Sequence, residues 1–177
     1  HYGVGGDGRI GGVRVEVGGQ KEVYVVEQER KQVAVFDGQG KQIKVITDKS
    51  LVQPTGIAID RQRGKIYVVD TANGKSDEHN VKIFGMDGTL RGKIGKGRST
   101  ATGYFQYPTY VALDNQGDVF VTDTLNNRIQ EFNPNGEFVR VVGENSDAPG
   151  GFARPKGLAV DTFGDLYVAD SGWSNVQ

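Results

Sequence analysis

Apolar residues occur along this chain in short runs of about four to six, and turn-forming residues end each run. The stretch 108–132 shows the arrangement, with one run ending at Asp114, a second ending at Asp123, and a third ending at Phe132. No stretch has the spacing of three and four that an amphipathic helix requires. The pattern therefore predicts short β-strands and no helix.

The same arrangement recurs at 54–84, begins again at 155, and appears in a weaker form at 11–36. In each of the first three copies an Asp-Gly or Asn-Gly turn leads to a further strand. The aromatic residue of the second strand marks the period, since Tyr24, Tyr67, Phe120 and Tyr167 are separated by 43, 53 and 47 residues. Units of four strands repeating at this spacing predict an all-β fold, a β-propeller of four-stranded antiparallel blades.

The repeat also predicts the limits of the units. Residues 1–10 are rich in Gly and are interpreted as a linker or the tail of an upstream segment. The first three blades are predicted at 11–48, 49–97 and 98–145. A fourth blade is predicted at 146–177, and it is truncated because its third strand has only begun at Gln177.

The units resemble the NHL repeat family of β-propellers. The resemblance is carried by Pro-x-Gly-apolar-Ala-apolar-Asp, then Gly-x-apolar-Tyr-Val-x-Asp-Thr, then Asn-x-apolar-x-x-Phe, and it covers about residues 11–177. It implies a propeller of six blades in the full protein, so the chain is incomplete as given. Further blades of the same chain, or an oligomer, are expected to close the ring. The resemblance also favours a bacterial, extracytoplasmic protein, because of the AVD and YVADS runs and the frequent Gly turns in the repeat.

Composition adds little about partners. The net charge of −1 and the isoelectric point of about 6.2 do not favour a polyanionic partner. The chain has no Cys, which excludes disulfides and thiolate metal sites within it. No apolar run approaches the length of a membrane span.

The candidate binding residues lie in the loops before the first strand and between the second and third strands of each unit. Aromatic and cationic side chains are common anchors at interfaces, and two of these positions depart from the repeat. Tyr110 stands where the neighbouring units have Gly56 and Gly157, and Trp173 stands where the third unit has Asn126. The predicted binding residues are Thr55, His79, Tyr107, Thr109, Tyr110, Asn127, Arg154, Lys156 and Trp173. The alternative is that the aromatic residues pack against adjacent loops.

The loop 71–80 is five residues longer than its counterparts and contains Lys75, Asp77, Glu78 and His79. Long insertions are often functional, although this one is also consistent with a solvated surface loop. A metal site at these neighbouring residues is disfavoured, because adjacent residues rarely converge on one ion.

Acidic residues end the first two strands of the units. Those at the end of the first strand are Asp60, Asp114 and Asp161, and those at the end of the second are Asp70, Asp123 and Asp170. Because the same acid recurs in each of these units, we expect these side chains to accept backbone N–H bonds and fix turns. A Ca²⁺ ion held by several of them near the axis is the alternative, and otherwise no cofactor and no catalytic residue is predicted.

The sequence therefore favours a non-catalytic binding scaffold that presents its loop face to a protein, a peptide or a glycan. Two alternatives stay open. Some related propellers are metal-dependent lyases or lactonases, whose ligands here would lie partly in missing blades. An RNA-binding propeller is the other alternative, although acidic residues offset the basic ones on the loop face.

Overall fold

The structure, a computed structural model, describes residues 22–72, 74 and 76–177, together with the backbone of residues 10–16. The predicted linker at 1–10 therefore lies outside the described residues except for the backbone of Ile10. No helix in the described part of the chain is long and apolar enough to cross a membrane.

The described residues form four antiparallel sheets, which are the blades of a β-propeller. The first contains β1 (Ile10–Glu16), β2 (Glu22–Glu27), β3 (Gln32–Phe36) and β4 (Gln42–Thr47). The second contains β5 (Pro54–Asp60), β6 (Lys65–Asp70), β7 (Asn80–Gly85) and β8 (Leu90–Ile94). The third contains β9 (Pro108–Leu113), β10 (Val119–Asp123), β11 (Arg128–Phe132) and β12 (Phe138–Val142). The last contains β13 (Pro155–Val160), β14 (Leu166–Asp170) and β15 (Asn175–Val176).

These sheets confirm the predicted fold class. A 3₁₀ turn at Thr124–Asn126 is the single helical element in the described residues, and it ends at Asn127, whose φ is 55°. The limits of the units and the number of blades in the whole protein stay predictions.

Apolar side chains from facing sheets form the core. One cluster joins the first and second sheets through residues such as Val26 and Val68. A second joins the second and third sheets around Tyr67 and Val121, and a third joins the third and last sheets around Phe120. Each middle sheet is thus buried on both faces, which explains why its inner strands are almost continuously apolar.

The first strands of neighbouring sheets approach each other closely. A Cβ atom added at Gly56 in β5 would lie 2.7 Å from the carbonyl oxygen of Thr109 in β9. Only a residue without a side chain fits at such a distance, so this glycine is required by packing.

The turns between the first and second strands of the sheets are held by acid side chains, as the sequence predicted. Asp60 Oδ1 accepts a hydrogen bond of 2.9 Å from the backbone N–H of Arg63. Asp114 Oδ1 accepts one of 2.8 Å from Asp118 N–H, and Asp161 Oδ1 accepts one of 2.9 Å from Phe163 N–H. These carboxylates therefore act as turn-fixing groups.

The acids that end the second strands hold the connection that precedes the first strand of the same blade. Asp70 accepts hydrogen bonds from the backbone N–H groups of Val52 (2.8 Å) and Gln53 (2.7 Å). Asp170 accepts bonds of 2.8 and 2.9 Å from the N–H groups of Ala153 and Arg154. The predicted hydrogen-bonding role is thus confirmed, but it reaches across the blade as well as along the local turn.

Asp123 is fully buried, as Asp70 is, and has no exposed side-chain surface. Its oxygens accept bonds from Gln106 N–H (2.6 Å), Arg128 Nε (2.8 Å) and Gln130 Nε2 (3.0 Å). Burial raises the pKa of the Asp123 carboxyl, and the hydrogen bonds and the Arg128 guanidinium act against that rise. The Asp123 carboxylate therefore holds the connection before β9 and joins the end of β10 to β11.

We predict that the substitution Asp123→Ala lowers the free energy of unfolding by about 3 kcal/mol or more, because it leaves buried donors without an acceptor. Urea denaturation at neutral pH measures the loss. The control is Asp147→Ala, which removes a carboxylate from an exposed position and should change the unfolding free energy by less than about 0.5 kcal/mol. Equal stability of the two variants would contradict the role of Asp123.

Candidate functional site: the loop end of the blades

The loops before each first strand and after each second strand lie at one end of the sheets, here called the loop end. The pairing register requires this, because Pro54 lies opposite Asp70, Pro108 opposite Asp123, and Pro155 opposite Asp170. All nine predicted binding residues belong to these loops or to the adjoining strand ends.

Threonine hydroxyl groups connect neighbouring blades at the loop end. Thr71 Oγ1 donates a hydrogen bond of 2.7 Å to the carbonyl oxygen of Pro108, in the next sheet. Thr124 Oγ1 donates an equivalent bond of 2.7 Å to the carbonyl oxygen of Pro155. Each Thr directly follows the Asp that ends the second strand, so the Asp-Thr pair ties its own blade together and then joins it to the next.

Two predicted binding residues take part in this network. Thr55 Oγ1 lies 2.8 Å from Thr71 Oγ1, and Thr109 Oγ1 lies 2.8 Å from Thr124 Oγ1. Thr109 Oγ1 also lies within hydrogen-bonding distance (3.2 Å) of the carbonyl oxygen of Lys156. Thr55, Thr109 and Lys156 occupy corresponding positions in the successive first strands β5, β9 and β13, so the network follows these strands from one blade to the next.

His79 differs from the other predicted residues because it is fully buried. Its Nδ1 accepts a hydrogen bond of 2.9 Å from the backbone N–H of Tyr107, and the two rings meet edge to face with centroids 5.1 Å apart. A buried ring is not available for direct contact with a partner, which departs from the prediction. His79 instead holds the end of the inserted loop 71–80 against the connection that precedes β9.

The environment of His79 favours its neutral form. Burial lowers the pKa of its imidazole, and the positive charge of Arg98 lowers it further, while Asp77 and Asp70 oppose the shift. Its Nε2 is buried without a hydrogen-bond partner in the described residues. Protonation would therefore place a charge in a buried position and remove the acceptor for Tyr107 N–H.

Tyr107 and Tyr110 are half-buried, which agrees with the alternative that these aromatic residues pack against their neighbours. Tyr107 adopts a positive φ of 52°, a conformation that few residues with a side chain adopt and that the His79 contact accompanies. Tyr110 packs against the apolar cluster between the third and last sheets. Asn127 is also half-buried, and its amide group lies against the carbonyl oxygen of Ala153 in the next connection.

Arg154, Lys156 and Trp173 are the exposed members of the predicted set, and 46% of Trp173 is accessible. Within the described residues, neither Arg154 nor Lys156 makes an ion pair or a side-chain hydrogen bond. The backbone N–H groups of Arg154 and Trp173 both bind Asp170 Oδ1, at 2.9 and 3.3 Å. Burial raises the pKa of the Asp170 carboxyl, but its backbone hydrogen bonds outweigh that effect and lower the pKa overall.

Sequence reasoning missed the polar side chains that complete the acid sites. Lys82 in β7 is 2% exposed, and its Nζ lies 2.9 Å from Asp70 Oδ2 and 3.0 Å from Asn80 Oδ1. Arg128 and Gln130 occupy the equivalent strand of the next blade and bind Asp123. Lys82, Arg128 and Gln130 are polar residues within otherwise apolar strands. This was the signal available in the sequence, since a buried polar or charged side chain requires a partner.

The arrangement of four-stranded sheets around an axis defines a β-propeller, and solved structures share it. The chain superimposes on virginiamycin B lyase from Staphylococcus aureus with a TM-score of 0.64, 16% identity, and coverage of 93% of this chain and 54% of that one. It also matches a chain of a nidogen–laminin complex with a TM-score of 0.68, 23% identity, and coverage of 88% and 53%. At these identities the likeness shows the fold alone. The chain spans about half of each.

Residues 105–132 match the family model of the NHL repeat. The chain is also 31% identical over 134 residues to the protein named brain tumor of Drosophila melanogaster. The matched segment covers 73% of this chain and 12% of that protein. The chain belongs to the NHL-repeat β-propellers. The predicted family is therefore confirmed.

We predict that acid destabilises the protein partly through His79. In the folded state its pKa is lowered, whereas an unfolded chain has a His pKa of about 6.5. The unfolded state therefore binds more protons between those two values, so the stability that depends on neutral His79 is present above about pH 6.5 and is lost as the pH falls below it.

The test compares the wild-type protein with His79→Asn, whose side-chain oxygen can still accept the Tyr107 N–H bond and does not ionise. Urea denaturation at about pH 8 and about pH 5 should show a smaller loss of stability in the variant. His1 is the only other histidine in the chain and is present in both proteins. An identical pH dependence in the two proteins would rule out His79 as the source.

Proposed function

We propose that the loop end binds a protein or peptide partner and that the chain acts as a non-catalytic scaffold. The observation that carries the proposal is the exposure of Arg154, Lys156 and Trp173 at the loop end, where Asp170 accepts hydrogen bonds from the backbone N–H groups of the two loops and so holds them in place. Preorganised loops lose little conformational freedom when a partner binds. The proposal requires no cofactor.

The charge of the exposed residues favours one kind of partner. Arg154 and Lys156 have no acidic partner in the described part of the chain. Trp173, whose backbone N–H shares the acceptor Asp170 Oδ1 with that of Arg154, offers a broad apolar surface. Arg and Trp are among the residues that contribute most to binding energy at interfaces. A peptide that presents carboxylates next to an apolar or aromatic residue would match both properties.

The role of the half-buried residues is different in this proposal. Thr55, Thr109, Tyr107, Asn127 and the buried His79 hold the loops in place, as their hydrogen bonds and packing support. Tyr110 combines a partly exposed ring with packing in the apolar cluster between blades. Substituting these residues would change loop geometry and stability together, so they are poor probes of direct contact.

We predict that Arg154→Glu, Lys156→Glu and Trp173→Ala each weaken binding of a partner peptide by about tenfold or more. Peptides that bind the chain would first be selected from a displayed random library. Their dissociation constants would then be measured by fluorescence anisotropy. The charge reversals should raise the dissociation constant by raising the rate of dissociation and by removing electrostatic attraction.

The matched control is Lys41→Glu, which reverses one charge at an exposed turn at the opposite end of the first sheet. It should leave the dissociation constant unchanged. Thermal unfolding of each variant confirms that the fold is intact. Selected peptides that bind all three loop-end variants as tightly as the wild type would exclude the loop end as the binding surface.

A further inference from the structure

The connections between consecutive blades differ in length. The connection between β8 and β9 has thirteen residues, and the one between β12 and β13 has twelve. The connection between β4 and β5, residues 48–53, has six. Each of the three contains a buried apolar residue three positions before the Pro of the next strand, namely Leu51, Phe105 and Phe152. The short connection therefore lacks only the additional residues that precede this apolar residue in the longer two, here called the excursion.

A glutamine binds that excursion in the third and last sheets. Gln130 Oε1 accepts a hydrogen bond of 2.8 Å from Gly103 N–H, and its Nε2 donates one of 2.6 Å to the carbonyl oxygen of Tyr104. Gln177 stands at the corresponding place, where its Oε1 accepts a bond from Gly150 N–H (3.1 Å) and its Nε2 donates to the carbonyl oxygen of Gly151 (2.8 Å). An amide side chain suits this position because it can both donate and accept.

The second sheet has Lys82 at this place. Lys82 lies opposite Val68 in the strand pairing, as Gln130 lies opposite Val121. An ammonium group donates only, and Asp70 and Asn80 accept two of its three hydrogen atoms. Because the connection 48–53 is short and Lys82 cannot bind a backbone N–H group, no segment of the described chain is held here as in the other two sheets.

A groove of about 450 Å³ occupies this region and follows the outer strand β8. Its lining residues are Ser50, Glu78, Lys82, Leu90, Arg91, Gly92 and Lys93. Strand β8 is the edge of its sheet, so one row of its backbone groups pairs with β7 and no strand of the described chain pairs with the other. Such an edge can accept an added strand from another polypeptide.

We propose that this groove binds an extended acidic segment of a partner protein, which adds to the free edge of β8. The chain's own connections lie against the corresponding glutamines of the third and last sheets, so this region of a blade suits a polypeptide segment. The charge indicates an acidic segment, since the side chains of Arg91 and Lys93 are 58% and 52% exposed along the groove.

The existing ion pairs do not occupy these cations fully. Arg91 pairs with Asp87 at 2.6 Å, and Lys93 pairs with Glu78 at 3.1 Å, but both pairs are exposed to solvent. Exposed pairs are weak and exchange readily with competing carboxylates. Leu90, which is 36% exposed, supplies an apolar contact at the start of the strand. The segment that fits best therefore alternates carboxylate and apolar side chains.

The probe is a short fluorescein-labelled peptide in which Glu and Val alternate, and its matched control is the peptide in which Lys and Val alternate. We expect the Glu-Val peptide to bind the chain and the Lys-Val peptide to bind at least tenfold more weakly. Amide signals of Leu90 to Lys93 should shift in an NMR titration with the Glu-Val peptide. Raising the salt concentration should weaken the binding.

The double variant Arg91→Glu with Lys93→Glu should weaken binding of the Glu-Val peptide at least tenfold, whereas Lys41→Glu should leave it unchanged. Both changes alter exposed residues, and thermal unfolding confirms the fold. The proposal is overturned by any of three results: the Glu-Val peptide does not bind, the Lys-Val peptide binds equally well, or the double variant binds as the wild type does. An equal loss with Lys41→Glu would also overturn it, because the attraction would then be general.

Discussion

A buried carboxylate at the end of the second strand organises each of the last three sheets. Asp70, Asp123 and Asp170 accept backbone N–H bonds from the connection that leads into the first strand of their own sheet. That connection has no regular structure to satisfy its N–H groups, so an acid side chain supplies the acceptors. The position of the first strand, and with it the line of strands around the axis, depends on these bonds.

The residue that follows each Asp extends this constraint from one blade to the next. Thr71 and Thr124 donate to carbonyl oxygens of Pro108 and Pro155, while apolar clusters fill the space between the same sheets. Burial of apolar surface supplies most of the stabilisation but is not directional, whereas the hydroxyl bonds fix the relative position of two blades. The loop end is consequently a surface of fixed shape with a few exposed side chains.

The repeat predicted the strands, their order and the hydrogen-bonding role of the acids, because those properties depend on local pattern and recur in each copy. It did not predict the burial of His79 or the partners of Lys82. His79 sits in an insertion that has no counterpart to compare it with, and its place depends on Tyr107, far along the chain. Of the nine predicted binding residues, the exposed ones are Arg154, Lys156 and Trp173, because packing between neighbouring loops occludes the rest to different degrees.

The third strands of the last three sheets differ at one position, and the difference follows the length of the connection beside it. Gln130 and Gln177 show what the third strand does when a long connection passes over it, and Lys82 shows what replaces that function when the connection is short. A lysine at this site still supports Asp70, so the internal constraint on the blade is preserved. What changes is the outer surface, where the space beside β8 stays open. Variation in the connections can therefore create binding surfaces without disturbing the carboxylates on which the fold depends.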